Sequence, residues 1–188
     1  MPVTINGDGS ITGLSVGGLG SGVVNTATLA NGAATGVKLG TGSVIQTVSS
    51  TFAPYGDADD ALRAHDGTYS ETGITLSITP TVSTSKIMVM SEGCSFGYKT
   101  SDSQVDYFMR LVGTPSGGSL TQFREIEVRH TVANNTTQRL FDSWNMSYLH
   151  DHNGTVAITY KVQHKTATAT YAWARYKGAT MTLMEIAG

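Results

Sequence analysis

"TVAITYKVQ", residues 155–163, is the stretch of sequence that decides the fold class. Apolar or aromatic side chains stand at every second position, at Val156, Ile158, Tyr160 and Val162, with small or polar side chains between them. A period of two is typical of a β-strand with one face against a core and the other in water. The stretch therefore predicts a half-buried strand of an antiparallel sheet.

Similar strand signals continue through the chain after residue 42, separated by turn-forming clusters such as GTPSGGS and HDHNGT. We predict nine strands, near residues 43–49, 73–79, 86–96, 104–112, 121–131, 138–149, 155–164, 169–176 and 180–187. Only residues 56–67, GDADDALRAHDG, have a helical composition, which predicts one or two helical turns with Asp57 as the N-cap. Together these features predict an all-β protein with an antiparallel β-sandwich that resembles a jelly roll.

Two of the predicted strands carry apolar side chains on both faces. They contain the runs KIMVM (residues 86–90) and ATMTLMEIA (residues 179–187). Such strands belong where both faces are covered, either between two sheets or between a sheet and a neighbouring subunit. We therefore expect the following residues in the core or in a subunit interface: Ile87, Val89, Met181 and Leu183.

The first 42 residues differ sharply in composition from the remainder. They hold eleven of the 22 glycines and only two charged residues, Asp8 and Lys38, and the first aromatic residue of the chain is Phe52. A segment of this kind cannot bury enough apolar surface to fold alone. We therefore expect the folded head to comprise residues 43–188, a usual size for one domain.

Charge and motif content exclude several function classes. The net charge is −2, and the 12 Lys and Arg residues are scattered, which argues against nucleic-acid binding. No apolar run reaches the length that spans a bilayer, so we expect no membrane insertion. The GLSVG sequence at residues 13–17 lies too near the start of the chain to be a hydrolase elbow, and residues 57–68 lack the Gly and Glu of a calcium loop. We expect neither an enzyme nor a cofactor.

The HDHNG sequence at residues 150–154 is the main candidate for local chemistry. His150 and His152 lie two positions apart, so in an extended chain their rings point to one side and form half of a metal site. The alternative, which we favour, is a polar hairpin turn in which Asn153 and Gly154 supply positive φ angles. We therefore expect no bound metal, and we take Asp151, His152 and Asn153 as candidate ligand-binding residues in a loop.

The sequence also resembles a known family. MPVTINGDGSITGLSVGG is similar to the start of many bacteriophage tail-fibre proteins, and VVNTATLANGAATGVKLG is similar to a repeat found in such fibres. Later runs, among them GSVIQTVSS, YFMRLVG and ATMTLMEIAG, resemble the C-terminal head of fibres from marine and cyanobacterial phages. Only one copy of the repeat is present, so the resemblance implies a short shaft.

The resemblance implies a homotrimer with three parts: an extended virion anchor at residues 1–21, an intertwined stalk at residues 22–42 and the β-sandwich head at residues 43–188. Three copies of the stalk wound about one axis would bury apolar residues that one copy exposes. These residues are Val24, Leu29, Val37 and Leu39.

The expected function is that of a structural protein on the surface of a phage particle. Its N-terminus would attach to other virion proteins of the tail, baseplate or capsid, and its head would bind host-surface polysaccharide, because the head loops are rich in residues that suit sugar recognition. The alternative is a capsid decoration protein, head fibre or baseplate component that binds no receptor. A depolymerase is the least favoured class.

Overall fold

A computed structural model describes residues 4–7, 11–12, 39–52, 63–64, 67–99, 103–132, 138–166 and 173–188. The chain divides into two compact units, Met1–Thr35 and Gly36–Gly188. In the first unit, strands β1 (Thr4–Ile5) and β2 (Ile11–Thr12) pair antiparallel.

The second unit contains nine strands among its described residues. Their bounds are β3 Val44–Phe52, β4 Arg63–Ala64, β5 Ser70–Ile78, β6 Lys86–Lys99, β7 Ser103–Pro115, β8 Thr121–Val132, β9 Gln138–His150, β10 Ile158–Thr166 and β11 Trp173–Ile186. The part of the chain that the structure describes contains no helix, and so none that could cross a membrane.

Eight of these strands form two antiparallel sheets. The β10 sheet has the order β5-β10-β7-β8, and the β11 sheet has the order β3-β11-β6-β9, with the short β4 also paired to β11. Among these eight strands, only β7 and β8 follow one another along the chain within the same sheet. Every other connection between successive strands crosses to the opposite sheet. This alternation is the connectivity of a jelly roll. The predicted all-β antiparallel sandwich is confirmed.

The core lies between the two sheets and takes side chains from six strands. Its buried members are Ile74, Ile78, Ile87, Val89, Met109, Leu111, Trp144, Met146, Ile158, Tyr160, Val162, Ala179, Met181 and Leu183. Ile87, Val89, Met181 and Leu183 are fully buried here, on β6 and β11, and each of these strands has a neighbour on both sides. Their inward side chains form the core, and the outward side chains of the same strands lie on the opposite face.

A buried carboxylate fastens one end of the β11 sheet. Glu185 is fully buried, and its oxygens accept hydrogen bonds from Gln46 Nε2 at 2.7 Å and from the backbone N–H groups of Thr81 and Val82 at 2.8 and 3.0 Å. Burial alone would raise the pKa of Glu185, but these hydrogen bonds lower it below the ordinary value of 4.5. The carboxylate therefore joins β3, β11 and the connection between β5 and β6 as an ionised group.

Two local predictions are wrong. The strands expected at residues 169–176 and 180–187 are one continuous strand, β11, because Gly178 takes a φ of 63° within a bulge and does not form a chain-reversing turn. The helical turns expected at residues 56–67 are contradicted at Arg63–Ala64, which pair with β11 as a strand. Asp57 lies outside the described residues.

The predicted stalk is described only at its end. Val24, Leu29 and Val37 lie outside the described residues, and Leu39 is half-buried. Gly42 has a φ of 87° and donates from its N–H to the Ala187 carbonyl, while the Ala187 N–H donates to the Ser43 carbonyl. The chain therefore enters β3 beside the C-terminal end of β11.

Candidate functional site

A groove of about 380 Å³ opens at one end of the sandwich, between the β7–β8 turn and the connection from β9 to β10. The turn is compact because Gly117 has a φ of 73° and Gly118 donates from its N–H to the Pro115 carbonyl. The groove is lined by Gly113, Pro115, Ser116, Gly117, Gly118, Thr121, Phe123, His150, His152, Asn153, Gly154, Val156 and Ile158.

The connection between β9 and β10 differs from its prediction. His150 ends β9 in the β11 sheet, and Ile158 begins β10 in the β10 sheet, so residues 151–157 cross between the sheets and do not close a hairpin. Asn153 takes a positive φ of 51°, as predicted, which Asn tolerates better than most residues, whereas Gly154 does not take a positive φ. The Ser116 N–H donates to the Ala157 carbonyl and ties the crossing segment to the β7–β8 turn. The two walls of the groove are therefore joined by a backbone hydrogen bond.

A row of four rings leads from the outer edge of the sandwich into the groove. Phe123 stacks on Tyr148 with ring centroids 5.1 Å apart and lies 4.5 Å from the His150 ring, which in turn lies 5.6 Å from the His152 ring. Phe123 belongs to β8 and Tyr148 to β9, so the row bridges the edges of the two sheets. It presents a continuous ring surface beside polar loop groups.

Gly113 makes room for this row. A Cβ atom at residue 113 would lie 2.5 Å from a ring carbon of Phe123 and 3.2 Å from a ring carbon of Tyr160. Such a separation from Phe123 is shorter than van der Waals contact allows, so any larger residue would displace that ring. The position of Phe123 therefore depends on a glycine in the neighbouring strand.

The His150 side chain is hydrogen-bonded to a core tyrosine, Tyr160. Its Nδ1 lies 2.7 Å from the hydroxyl of Tyr160, which is fully buried. Burial raises the pKa of Tyr160, so this phenol stays protonated. Burial of the imidazole, followed by the charge on His152, lowers the pKa of His150 below its ordinary value of 6.5, although Asp151 opposes the shift. At neutral pH His150 is uncharged, and we assign the Tyr160 hydroxyl as donor to Nδ1.

The loop residues take separate roles around the groove. His152 Nε2 donates to the Val156 carbonyl at 2.7 Å, which leaves Nδ1 as an acceptor when the ring is neutral. The Asn153 side-chain amide donates to the Asp151 carbonyl at 3.4 Å. Asp151 itself pairs with Lys86 at 2.9 Å and does not line the groove. Of the three predicted loop-binding residues, two line the groove and one lies beside it.

The His150 and His152 rings are adjacent, as an extended strand end predicts. Each ring has one nitrogen in a hydrogen bond within the chain. Over the described ranges, no group of three or more His, Cys, Asp or Glu side chains is arranged to hold a metal ion. Within the described residues, no Cys, Asp or Glu side chain and no third His is therefore placed to join His150 and His152 as a metal ligand.

Sequence reasoning missed Phe123, Tyr148 and Gly113. Each is an ordinary position of a predicted strand or turn. Phe123 meets Gly113 across the β7–β8 pairing, and it meets Tyr148 because β8 and β9, the edge strands of opposite sheets, approach one another. Arg124 marks the same approach, since its guanidinium donates to the Ser147 carbonyl at 3.2 Å. The aromatic residues inside the strands predicted at 121–131 and 138–149 were the signal that the sequence offered.

Comparisons with known proteins return distant likenesses. No protein-family model matches the chain, and a search of curated proteins gives no match. Similar solved structures include infectious bursal disease virus of the Gx strain, 13% identical with a TM-score of 0.32, over 78% of this chain and 34% of that one. The T13 particle of the same virus is also 13% identical with a TM-score of 0.32, over 77% of this chain and 36% of that one. The chain spans about a third of the length of these proteins. At these values the likeness carries no functional inference.

Proposed function

We propose that this chain is a structural protein of a bacteriophage particle, of the tail-fibre type, whose head binds saccharide on the host surface through the groove. Two independent features support the proposal. The sequence resembles phage fibre proteins over nearly the whole chain. The head presents, at one end, a groove in which rings and polar loop groups lie side by side. The groove is the observation that carries the adhesive function.

The chemistry of the lining favours an uncharged saccharide. Among the residues that the structure describes, no Lys, Arg, Asp or Glu side chain lines the groove, and His150 is neutral at pH 7 because its pKa is lowered. Val156, which is 50% exposed, offers an apolar surface for the C–H face of a sugar ring. Hydroxyl groups of the sugar can be met by the Asn153 amide and by His152 Nδ1. A mixture of apolar contact and a few polar groups is typical of small-molecule sites.

The remainder of the proposal concerns assembly. The N-terminal residues 1–21 would anchor the protein to other virion proteins, and residues 22–42 would join three copies into a stalk. Such a protein places three identical heads on one support, so weak saccharide contacts would act together. We propose no catalytic activity, and incubation with host polysaccharide should release no reducing sugar.

Antibody labelling of intact particles tests the location of the chain. An antibody raised against residues 43–188 should label fibres or tail tips. Label spread over the capsid would favour a decoration protein, and absence of label from particles would exclude a virion role.

Competition for adsorption tests the adhesive function. The purified full chain should occupy receptors and reduce adsorption of the phage to its host cells. The Val156→Arg variant, which places a bulky charge in the groove, should compete less well. A matched Thr75→Arg variant on an exposed strand position far along β5 should compete as the parent does. Equal competition by all three proteins would contradict the proposal.

A further inference from the structure

The aromatic row continues beyond the groove. Phe123 lines the groove and stacks on Tyr148, whereas Tyr148 is not one of the lining residues. Tyr148 lies at the side of the sandwich where β8 and β9, the edge strands of the two sheets, approach one another. The ring surface therefore extends past the groove along this side.

A β-bulge in β8 produces the extension. The register of β7 and β8 shifts between Leu111 and Val112, so Phe123 is an additional residue without a paired residue in β7. A bulge bends its strand and changes the direction of the side chains beside it. Phe123 and the next residue, Arg124, both contact β9, the first through Tyr148 and the second through a backbone carbonyl.

Tyr148 has unused binding capacity. Its ring stacks on Phe123 with 22° between the ring planes, and yet the residue is 38% exposed. Within the part of the chain that the structure describes, its hydroxyl makes no hydrogen bond. A tyrosine combines a large apolar ring with a hydroxyl that donates and accepts hydrogen bonds. Tyr148 therefore offers a ligand both a ring surface and a polar group.

Polar donors border this ring. The Arg124 guanidinium donates to the Ser147 carbonyl at 3.2 Å, which uses one of its five N–H donors. Arg124 and Ser147 are both exposed. An aromatic surface beside a few polar groups is typical of small-molecule sites.

The surface around Tyr148 suits a sugar ring better than a protein partner. Ser147 and Arg124 are polar, and Leu149, the next residue of β9, points to the opposite face of the sheet. A stable protein interface covers about 800 Å² on each partner and has a hydrophobic centre. One exposed ring among polar groups cannot supply such a centre, whereas the C–H face of a sugar needs only one ring to stack on.

The spacing along β9 allows the groove and Tyr148 to hold the same ligand. His150 lines the groove, and Tyr148 precedes it by two residues in the same strand, so their Cα atoms are about 7 Å apart. The Phe123 ring contacts both side chains. Sugar rings at the groove and at Tyr148 can therefore belong to one short chain.

We propose that Tyr148, flanked by Phe123 and Arg124, forms a second saccharide subsite beside the groove, so that the head binds a chain of two or more sugar rings and not a single terminal ring. The inference rests on the proposed saccharide binding in the groove and specifies its ligand as a segment of an oligosaccharide or polysaccharide.

The dependence of binding on chain length tests the second subsite. A neutral polysaccharide from the host surface is cut by partial acid hydrolysis and separated into fragments of one, two, three and more rings. Titration calorimetry gives the Kd of the full chain for each fragment. Short fragments free in solution reach one head at a time, so avidity does not contribute. We expect the affinity of the parent to rise about tenfold from the one-ring fragment to the longer fragments and then to level off.

Variants at neighbouring positions of β9 assign this gain to Tyr148. Tyr148→Ala removes the ring, and Leu149→Ala is the matched control, because Leu149 is 46% exposed and lies on the other face of the sheet. Circular dichroism should show both folded. In Tyr148→Ala the one-ring fragment should bind as in the parent and the gain with length should disappear, whereas Leu149→Ala should keep the gain. Tyr148→Phe keeps the ring and should lose part of the gain.

Three results would overturn the inference, and they are distinguishable. Equal affinity of the parent for one-ring and longer fragments, with no binding by Val156→Arg, would leave the groove as the saccharide site and remove the second subsite. A gain with length that persists undiminished in Tyr148→Ala, or in Tyr148→Phe where the first variant does not fold, would place the second ring elsewhere. Absence of binding to the intact polysaccharide and to every fragment would contradict the proposed function as well.

Discussion

The hydroxyl of Tyr160 lies 2.7 Å from Nδ1 of His150, and this contact joins the two sheets at the end of the sandwich where the groove opens. Tyr160 belongs to β10 and is fully buried, whereas His150 is the last residue of β9 and lines the groove. The wall of the groove is therefore attached directly to the core. Changes that loosen the core at this end should change binding, and protonation of the wall should change stability.

Acid should weaken the fold through His150. Its pKa is lowered below 6.5, so the unfolded chain binds this proton more readily than the folded chain. The stability that neutral His150 contributes is therefore complete above its ordinary pKa of 6.5. It is lost as the pH falls from 6.5 towards the lower pKa that His150 has in the folded chain. We expect the free energy of unfolding of the parent to decrease between about pH 7 and 5. The His150→Gln variant should show a flatter profile in urea titrations across that range. An unchanged slope would contradict the assignment.

Gly113→Ala should disturb the groove and the fold together. The added Cβ would lie 2.5 Å from the Phe123 ring, so this ring must move, and overpacking of this kind costs about 1–3 kcal/mol. Gly40→Ala is the matched control, because a Cβ there meets no atom within 4 Å and Gly40 is not among the lining residues of the groove. Urea unfolding and saccharide binding should both be impaired in the first variant and nearly unchanged in the second. Equal stability of both variants would mean that Phe123 has room to move.

Leu183→Asp should prevent folding. Leu183 is fully buried on β11, between β3 and β6, so the variant would place an unpaired carboxylate in the core at a cost of several kcal/mol. The total stability of a domain is only about 5–15 kcal/mol. Thr75→Asp, at an exposed position of β5, should be nearly silent. A Leu183→Asp protein that melts at the parental temperature would show that this strand is not central to the core.

Glu185→Gln should remove an ionised anchor from the same strand. The carboxylate accepts hydrogen bonds from Gln46, Thr81 and Val82, and an amide can replace only part of this acceptor capacity. We expect a loss of about 1–3 kcal/mol near neutral pH. The pKa of Glu185 is lowered, so its contribution is present above the ordinary value of 4.5 and disappears as the pH falls below it. Parent and variant should therefore converge in acid, whereas Glu92→Gln, at an exposed position, should follow the parent throughout.

The alternation of apolar and polar residues predicted the strands, because it reflects which residues of each strand face the core. They failed where the outcome depends on distant partners. Gly178 resembles a turn residue in the sequence, but β11 is paired along both edges and continues through Gly178 as a bulge. Asn153 and Gly154 resemble a hairpin turn, yet the strands that they connect belong to different sheets.

Only some of the groove residues could be predicted from the sequence, for the same reason. His150, His152 and Asn153 are neighbours along the chain, so local spacing indicated them. Phe123 lies 27 positions before His150 and reaches it only through the approach of two edge strands. Contacts between sheets leave no periodic signal within either strand, and the aromatic row therefore required the structure.

Saccharide binding by the full chain tests the central claim most directly. The parent, Val156→Arg and Thr75→Arg are applied to an array that carries neutral and acidic saccharides at pH 7.5, and bound protein is measured at each spot. We predict that the parent and Thr75→Arg bind one or more neutral saccharides and that Val156→Arg loses this binding. The absence of binding to every saccharide, or binding that is the same in all three proteins, would contradict the account.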